Sequence, residues 1–186
     1  MAVMLMTVMS FAQYQPAVEL TGNYHFTHLT LPAGLGSTNM PAGFGTTVNV
    51  PINNWFGVVG DFGRFSKSNS LTMGGVSASG DLTILTFGGG PRFTYRTRSA
   101  WQPYFQFVLG GAHLTASGSI QGFGSSSSGT TAFMIAPGGG VQFKMSRSIW
   151  LNTGFNYLRA SKYGYAINGF QPTVGVSFHF GGPVAR

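Results

Sequence analysis

A chain of 186 residues has room for one domain, and only 7% of these residues are Asp, Glu, Lys or Arg, where an ordinary soluble domain carries about 25%. So few charges argue against a surface that faces water throughout, and the absence of cysteine excludes disulfides, thiol nucleophiles and Cys-ligated metals. The formal charge of +7 comes from scattered basic residues with no Lys/Arg run, which speaks against nucleic acid as a partner, and no stretch of 18 apolar residues offers a transmembrane helix.

The chain begins with an apolar run, Ala2 to Met9, followed by Ser10-Phe11-Ala12, a small-x-small pattern suited to signal peptidase. Residues 1–12 are therefore expected to be a signal peptide, truncated in that the basic n-region is missing, with residues 13–186 forming a single barrel domain. From Gln15 to Phe26, Val18, Leu20, Gly22, Tyr24 and Phe26 alternate with Ala17, Glu19, Thr21, Asn23 and His25, the period of two that marks a strand with two faces. Strand two is expected near Gly43 to Ile52 and strand three over Trp55 to Phe65, joined by a tight turn at Asn53-Asn54. Strand four follows over Asp81 to Tyr95, strand five over Pro103 to Leu114, strand six over Thr131 to Met145, and strand seven over Ile149 to Leu158. The last, to Phe180, sets Phe170, Pro172, Val174, Val176, Phe178 and Phe180 against Gln171, Thr173, Gly175, Ser177 and His179. Eleven unbroken positions of alternation are enough for a tilted transmembrane strand, which needs about 9–11 residues. On every strand the outer face is apolar, and the inner face is read as Gly, Thr, Ser, Asn and Gln.

The connections sort by length: short near 54, 98 and 147, long over 27–41, 66–80, 116–130 and 159–168. The third long one holds four consecutive serines, Ser125 to Ser128, and is expected to be an irregular loop with nothing apolar to pack. Short turns on one side and long loops on the other are the pattern of an outer-membrane barrel. An internal repeat agrees in register: Phe87-Gly88-Gly89-Gly90 precedes Arg98-Ser99-Ala100-Trp101 as Pro137-Gly138-Gly139-Gly140 precedes Arg147-Ser148-Ile149-Trp150. The three tryptophans all fall at short-turn ends, so Trp55, Tyr95, Trp101, Tyr104 and Trp150 are expected to form an aromatic girdle at the membrane interface.

In strand number, loop asymmetry, Gly-Gly-Gly-Pro-Arg and Gly-Gly-Gly-Val strands and an aromatic-ended last strand, Gln15 to Phe180 resembles the small OmpA-like and OmpX-like porin-family barrel domains. The resemblance implies an all-β fold, an eight-stranded antiparallel up-and-down transmembrane barrel in the bacterial outer membrane. It also implies insertion by the barrel-insertion machinery, which reads a terminal aromatic such as Phe180.

Little chemistry is written on this frame. Gly88-Gly89-Gly90 lacks the Gly-Lys-Ser/Thr sequel of a phosphate loop, the four histidines have no metal-ligand spacing, and the three acids assemble no nucleophile, base and orienter. No catalytic, metal or cofactor site is therefore expected, nor an enzyme. Glu19, Asp61 and Arg92 all fall on the inner face, four to six positions from the short-turn ends. They are expected to share one level and plug the lumen through charge-assisted hydrogen bonds. Arg64, Lys67, Arg159 and Lys162 lie at the outer ends of strands three and seven or just beyond, where lipopolysaccharide phosphates would meet them. The function that follows is a structural or surface-interaction role for a monomeric outer-membrane barrel, in contact with outer-membrane lipid and lipopolysaccharide and with weak pore activity at most. The alternative is a soluble lipocalin- or avidin-like small-ligand-binding barrel, which needs the opposite polarity of faces: charged outside, apolar within.

Overall fold

The computed structural model describes residues 18–30, 37–73, 76–96, 99–120, 124–163 and 165–181; the expected signal peptide lies outside them. Eight strands follow one another, β1 (Val18–Thr30), β2 (Ser37–Pro51), β3 (Phe56–Met73), β4 (Val76–Thr94), β5 (Trp101–Ile120), β6 (Gly124–Lys144), β7 (Ile149–Lys162) and β8 (Tyr165–Phe180). Each pairs antiparallel with its neighbours in sequence, and β8 returns to β1, so the sheet closes into a barrel. The faces fall as the alternation requires: on β1 exposure and burial alternate over all 13 residues, and on β8 Phe170, Val174, Val176, Phe178 and Phe180 all point outward.

The first short turn is closed by its own side chain. Asn53 Oδ1 accepts hydrogen bonds from the backbone N–H groups of Trp55 at 2.9 Å and Phe56 at 2.7 Å, so the chain reverses at little cost. At the turn between β6 and β7 the Ser146 hydroxyl accepts from the N–H groups of Ser148 and Ile149.

Strand stagger decides which residues share a level. Stepping across paired residues from Leu20 through Val48, Gly60, Gly89, Leu109, Ile135, Arg159 and Asn168 returns to β1 at Thr30, ten residues further out. Such a stagger requires strands tilted at about 35–45° to the barrel axis.

Two expectations about the chain's layout change. The connections read as long loops are mostly strand: β3 to β6 contain 18, 19, 20 and 21 residues, and Ser125 to Ser128 pair with Ser119 to Ala116 on β5. About 9–11 residues suffice to cross the hydrocarbon, so these four strands continue outward as a wall, while β1, β2, β7 and β8 have 13 to 16 residues. Once a hairpin is in register its ladder propagates whether or not the side chains alternate in polarity, because the backbone groups still need partners.

The second change concerns the interior, which is not polar throughout. Toward the short-turn end it is filled by Thr, Asn, Gln and charged side chains, but toward the opposite end Leu29, Met40, Phe65, Ile84, Met134 and Leu158 form a buried apolar cluster. The glycine-rich segments serve close approach. Tyr104 lies inside the barrel across β6 and β7, where a Cβ at either Gly140 or Gly154 would come within 2.8 Å of its hydroxyl; a larger residue at either position would displace the ring.

Candidate functional site

The inner half of the lumen is a hydrogen-bonded network. Asn152 Nδ2 on β7 donates to Asn23 Oδ1 on β1 at 3.3 Å, Asn23 Nδ2 donates to Thr47 Oγ1 on β2 at 3.0 Å, and the Thr47 hydroxyl donates to Asp61 Oδ2 on β3 at 2.8 Å. Every donor in this chain points toward the carboxylate, so each bond polarises the next and the last is charge-assisted. Across the lumen the Arg92 guanidinium on β4, 1% exposed, sits 3.9 Å from the centroid of the Tyr104 ring, a cation–π contact that is worth about 2 kcal/mol when desolvated. Arg92 Nε and Nη2 are buried with no protein partner among the described residues. Arg92, Asp61, Thr47 and Asn23 share the lining of a cavity of about 10 Å³, room for about one water molecule.

Glu19 belongs to a different group. It is 1% exposed and bound by the Arg96 guanidinium, which is 21% exposed, and Asn49 Nδ2 donates to its other oxygen at 3.0 Å. The expected triad of Glu19, Asp61 and Arg92 therefore divides into Glu19 with Arg96 at the short-turn rim and Asp61 with Arg92 higher in the lumen. The reason is the stagger. Glu19 registers with Asn49, Asn49 with Val59 and Val59 with Gly90, a row that climbs outward as it passes round the barrel, so that Asp61, two residues beyond Val59 on β3, and Arg92, only two residues short of the row on β4, both stand above Glu19. Equal distances from strand ends do not give equal heights in a tilted barrel. The signal for Arg96 is present in the sequence, where the alternation of inward Arg92 and Thr94 continues to it.

The expected girdle divides in the same way. Trp55, Tyr95 and Trp101 are exposed on the outer face at the short-turn end, with Trp55 stacked on Phe93 at 5.8 Å between ring centroids. Tyr104 and Trp150 instead point inward. Trp150 is 6% exposed and stacks face to face on His179, centroids 5.0 Å apart, on the inner side of β7 and β8. Proximity to a short turn set their height correctly, but parity sets the face: Tyr104 is two residues from inward Gln106, and Trp150 two from inward Asn152.

The four basic residues at the outer end do not form one site. Arg64 and Arg159 stand exposed on the outer face of β3 and β7. Lys67 and Lys162 lie on the inward parity of the same strands, Lys67 donating to Thr38 at 2.6 Å and Lys162 to Thr130 at 2.5 Å. Two histidines that sequence reasoning set aside accompany the outward arginines. His113 on β5 shares the row of Arg64 through Leu85 and contacts the Thr131 hydroxyl at 2.8 Å; His28 on β1 contacts Asn39 Oδ1 at 2.5 Å. The four outward-running strands thus each carry a basic or imidazole side chain on the outer face, His28 on β1, Arg64 on β3, His113 on β5 and Arg159 on β7.

The family model described as the outer membrane protein beta-barrel domain matches residues 1–180. Among solved structures, the chain is similar to Ail, the attachment invasion locus protein of Yersinia pestis, in complex with the heparin analogue sucrose octasulfate: TM-score 0.65, 20% identity, 89% of this chain and 99% of that one. It is also similar to Neisserial surface protein A, with TM-score 0.64, 16% identity and coverage of 88% and 97%. The outer membrane protein OprG from Pseudomonas aeruginosa follows, with TM-score 0.54, 13% identity and coverage of 90% and 98%. No curated protein sequence matches the chain. At these identities the structural likenesses establish a shared fold.

Proposed function

This chain belongs to the outer membrane protein β-barrel family, and from that premise we propose that it works at the cell surface, with the wall of β3 to β6 as its recognition element. Family membership places the protein in the bacterial outer membrane, and its exposed Phe, Val and Leu side chains meet hydrocarbon there. The soluble carrier is set aside, since it would leave that apolar face in water.

The observation that carries the surface reading is the wall itself. Pairing of β3 with β2 stops at Ser66, and pairing of β6 with β7 stops at Phe133. Beyond those rows, among the described residues, Lys67–Met73 and Gly124–Ala132 are paired on one side only. A strand paired on one side offers a row of N–H and C=O groups to an extended peptide. Lys and Pro, which commonly blunt such edges, are absent from Gly124–Ala132. Within the membrane the sheet is closed, leaving no edge for a neighbouring barrel, which supports a monomer. Ail's complex with a heparin analogue supports an anionic partner. In this chain, outward Arg64 and Arg159 are the side chains placed to meet lipopolysaccharide phosphates, and Phe180 ends the strand that the insertion machinery would read.

The test is attachment of cells expressing the full chain to a panel of immobilised extracellular matrix proteins, compared with Ser125→Pro and Ser127→Pro, at positions whose N–H groups point away from β5 to the open edge. Proline removes edge donors without touching the barrel, so attachment should fall while the heat-dependent gel mobility of the folded barrel stays unchanged. Equal attachment by both variants would end this assignment.

A further inference from the structure

The apolar cluster in the outer half of the lumen is a complete layer. Leu29, Met40, Phe65 and Ile84 come from β1 to β4, Ala112 from β5, Met134 from β6 and Leu158 from β7, all buried, and Ile167 of β8 packs against them from partly buried ground. Every strand contributes. On its periplasmic side the layer meets the polar network directly: a second cavity of about 10 Å³ has Asp61, His25 and Gln171 on one wall and Phe65, Met134 and Leu158 on another. The unpartnered donors of Arg92 and Gln171 lie on that polar side, beside the two cavities, and each cavity has room for about one water.

We propose that this apolar layer, and not the ion network beneath it, is the barrier that closes the barrel to water and ions, leaving the polar half of the lumen a hydrated chamber that belongs to the periplasmic side. An ion in the lower half meets carboxylate, guanidinium, hydroxyl and amide groups that replace part of its hydration shell. In the layer it meets only hydrocarbon and thioether groups, so it crosses fully desolvated, and a constriction of this kind closes by excluding water. Partly exposed Arg96 brings solvent to the lower end of the network. At the outer end, the side chains of Lys67 and Lys162 are held on Thr38 and Thr130 above the layer.

The chain contains no cysteine, so a single introduced thiol is a unique reporter. Thr130→Cys, above the layer, should react with a charged, membrane-impermeant methanethiosulfonate added to intact cells. Thr47→Cys, below it, should resist that reagent from outside and react when it reaches the periplasmic face. In planar bilayers the unmodified protein should pass no steady current, Asp61→Asn should leave it closed, and Phe65→Ser combined with Met134→Ser should raise ion current by at least about tenfold as the layer wets. Modification of Thr47→Cys from outside at the rate of Thr130→Cys would overturn the proposal. So would a steady channel in Asp61→Asn with none in the double serine variant. If the double variant does not fold, as heat-dependent gel mobility would reveal, the two thiol rates decide the matter alone.

Discussion

Below the outer rim and above it, the same four strands obey different rules. Inside the membrane β3 to β6 alternate lipid-facing and lumen-facing residues, are paired on both sides and close into a barrel. In the wall, the same strands run on through Ser, Thr, Gly and Asn, with Ser79 and Ser119 hydroxyls joined at 2.8 Å and an edge open on either side. The ladder is common to both, and the alternation belongs only to the part between lipid and lumen. Period two is thus a record of two different surroundings on the two faces of a strand, and where water lies on both sides the record disappears while the strand does not.

Substitutions can break this comparison at graded strength, read as unfolding free energy in lipid vesicles by denaturant titration of tryptophan fluorescence. The largest effect is expected from Arg96→Ala, which leaves the Glu19 carboxylate, 1% exposed, without its cation; loss of a buried partner costs about 3–5 kcal/mol. Glu19→Gln should cost less, since Arg96, 21% exposed, can turn to water. Next comes Val176→Arg, where a charge replaces a lipid-facing side chain registered with Gly22 and Leu151. Near the bilayer midplane this costs about 2–4 kcal/mol.

Gly175→Ser follows, at about 1–3 kcal/mol for overpacking. A lumen-facing position alone would make this exchange far cheaper than the arginine. Instead, a Cβ at Gly175 would collide with the Gly22 carbonyl and lie 2.5 Å from Asn23 Oδ1. The smallest change is expected in the wall, where Ser126→Arg is solvated on an exposed strand and should stay within about 0.5 kcal/mol of the parent. A loss there equal to that of Val176→Arg would mean that membrane and wall are not energetically distinct. An epitope inserted at Ser126 sharpens the same contrast: antibody should reach it on intact cells, whereas labelling only after lysis would reverse the barrel's orientation.

Strand number, the lipid-facing residues and the three short turns were legible because each depends on a few neighbouring residues: parity along one strand, or a side chain such as Asn53 closing its own turn. The inward direction of Tyr104, Trp150 and Arg96 was equally present in the parity and was overruled by their nearness to turns. Two features were out of reach of any local pattern. The partners of Glu19 and Arg92 depend on the stagger of ten residues, which arises only when eight tilted strands close on one another. The apolar layer is assembled from single residues on eight strands, as far apart in the chain as Leu29 and Ile167. Alternation determines which way a side chain faces, because it is set by the geometry of two successive peptide units; what the side chain meets there is decided by closure of the whole sheet.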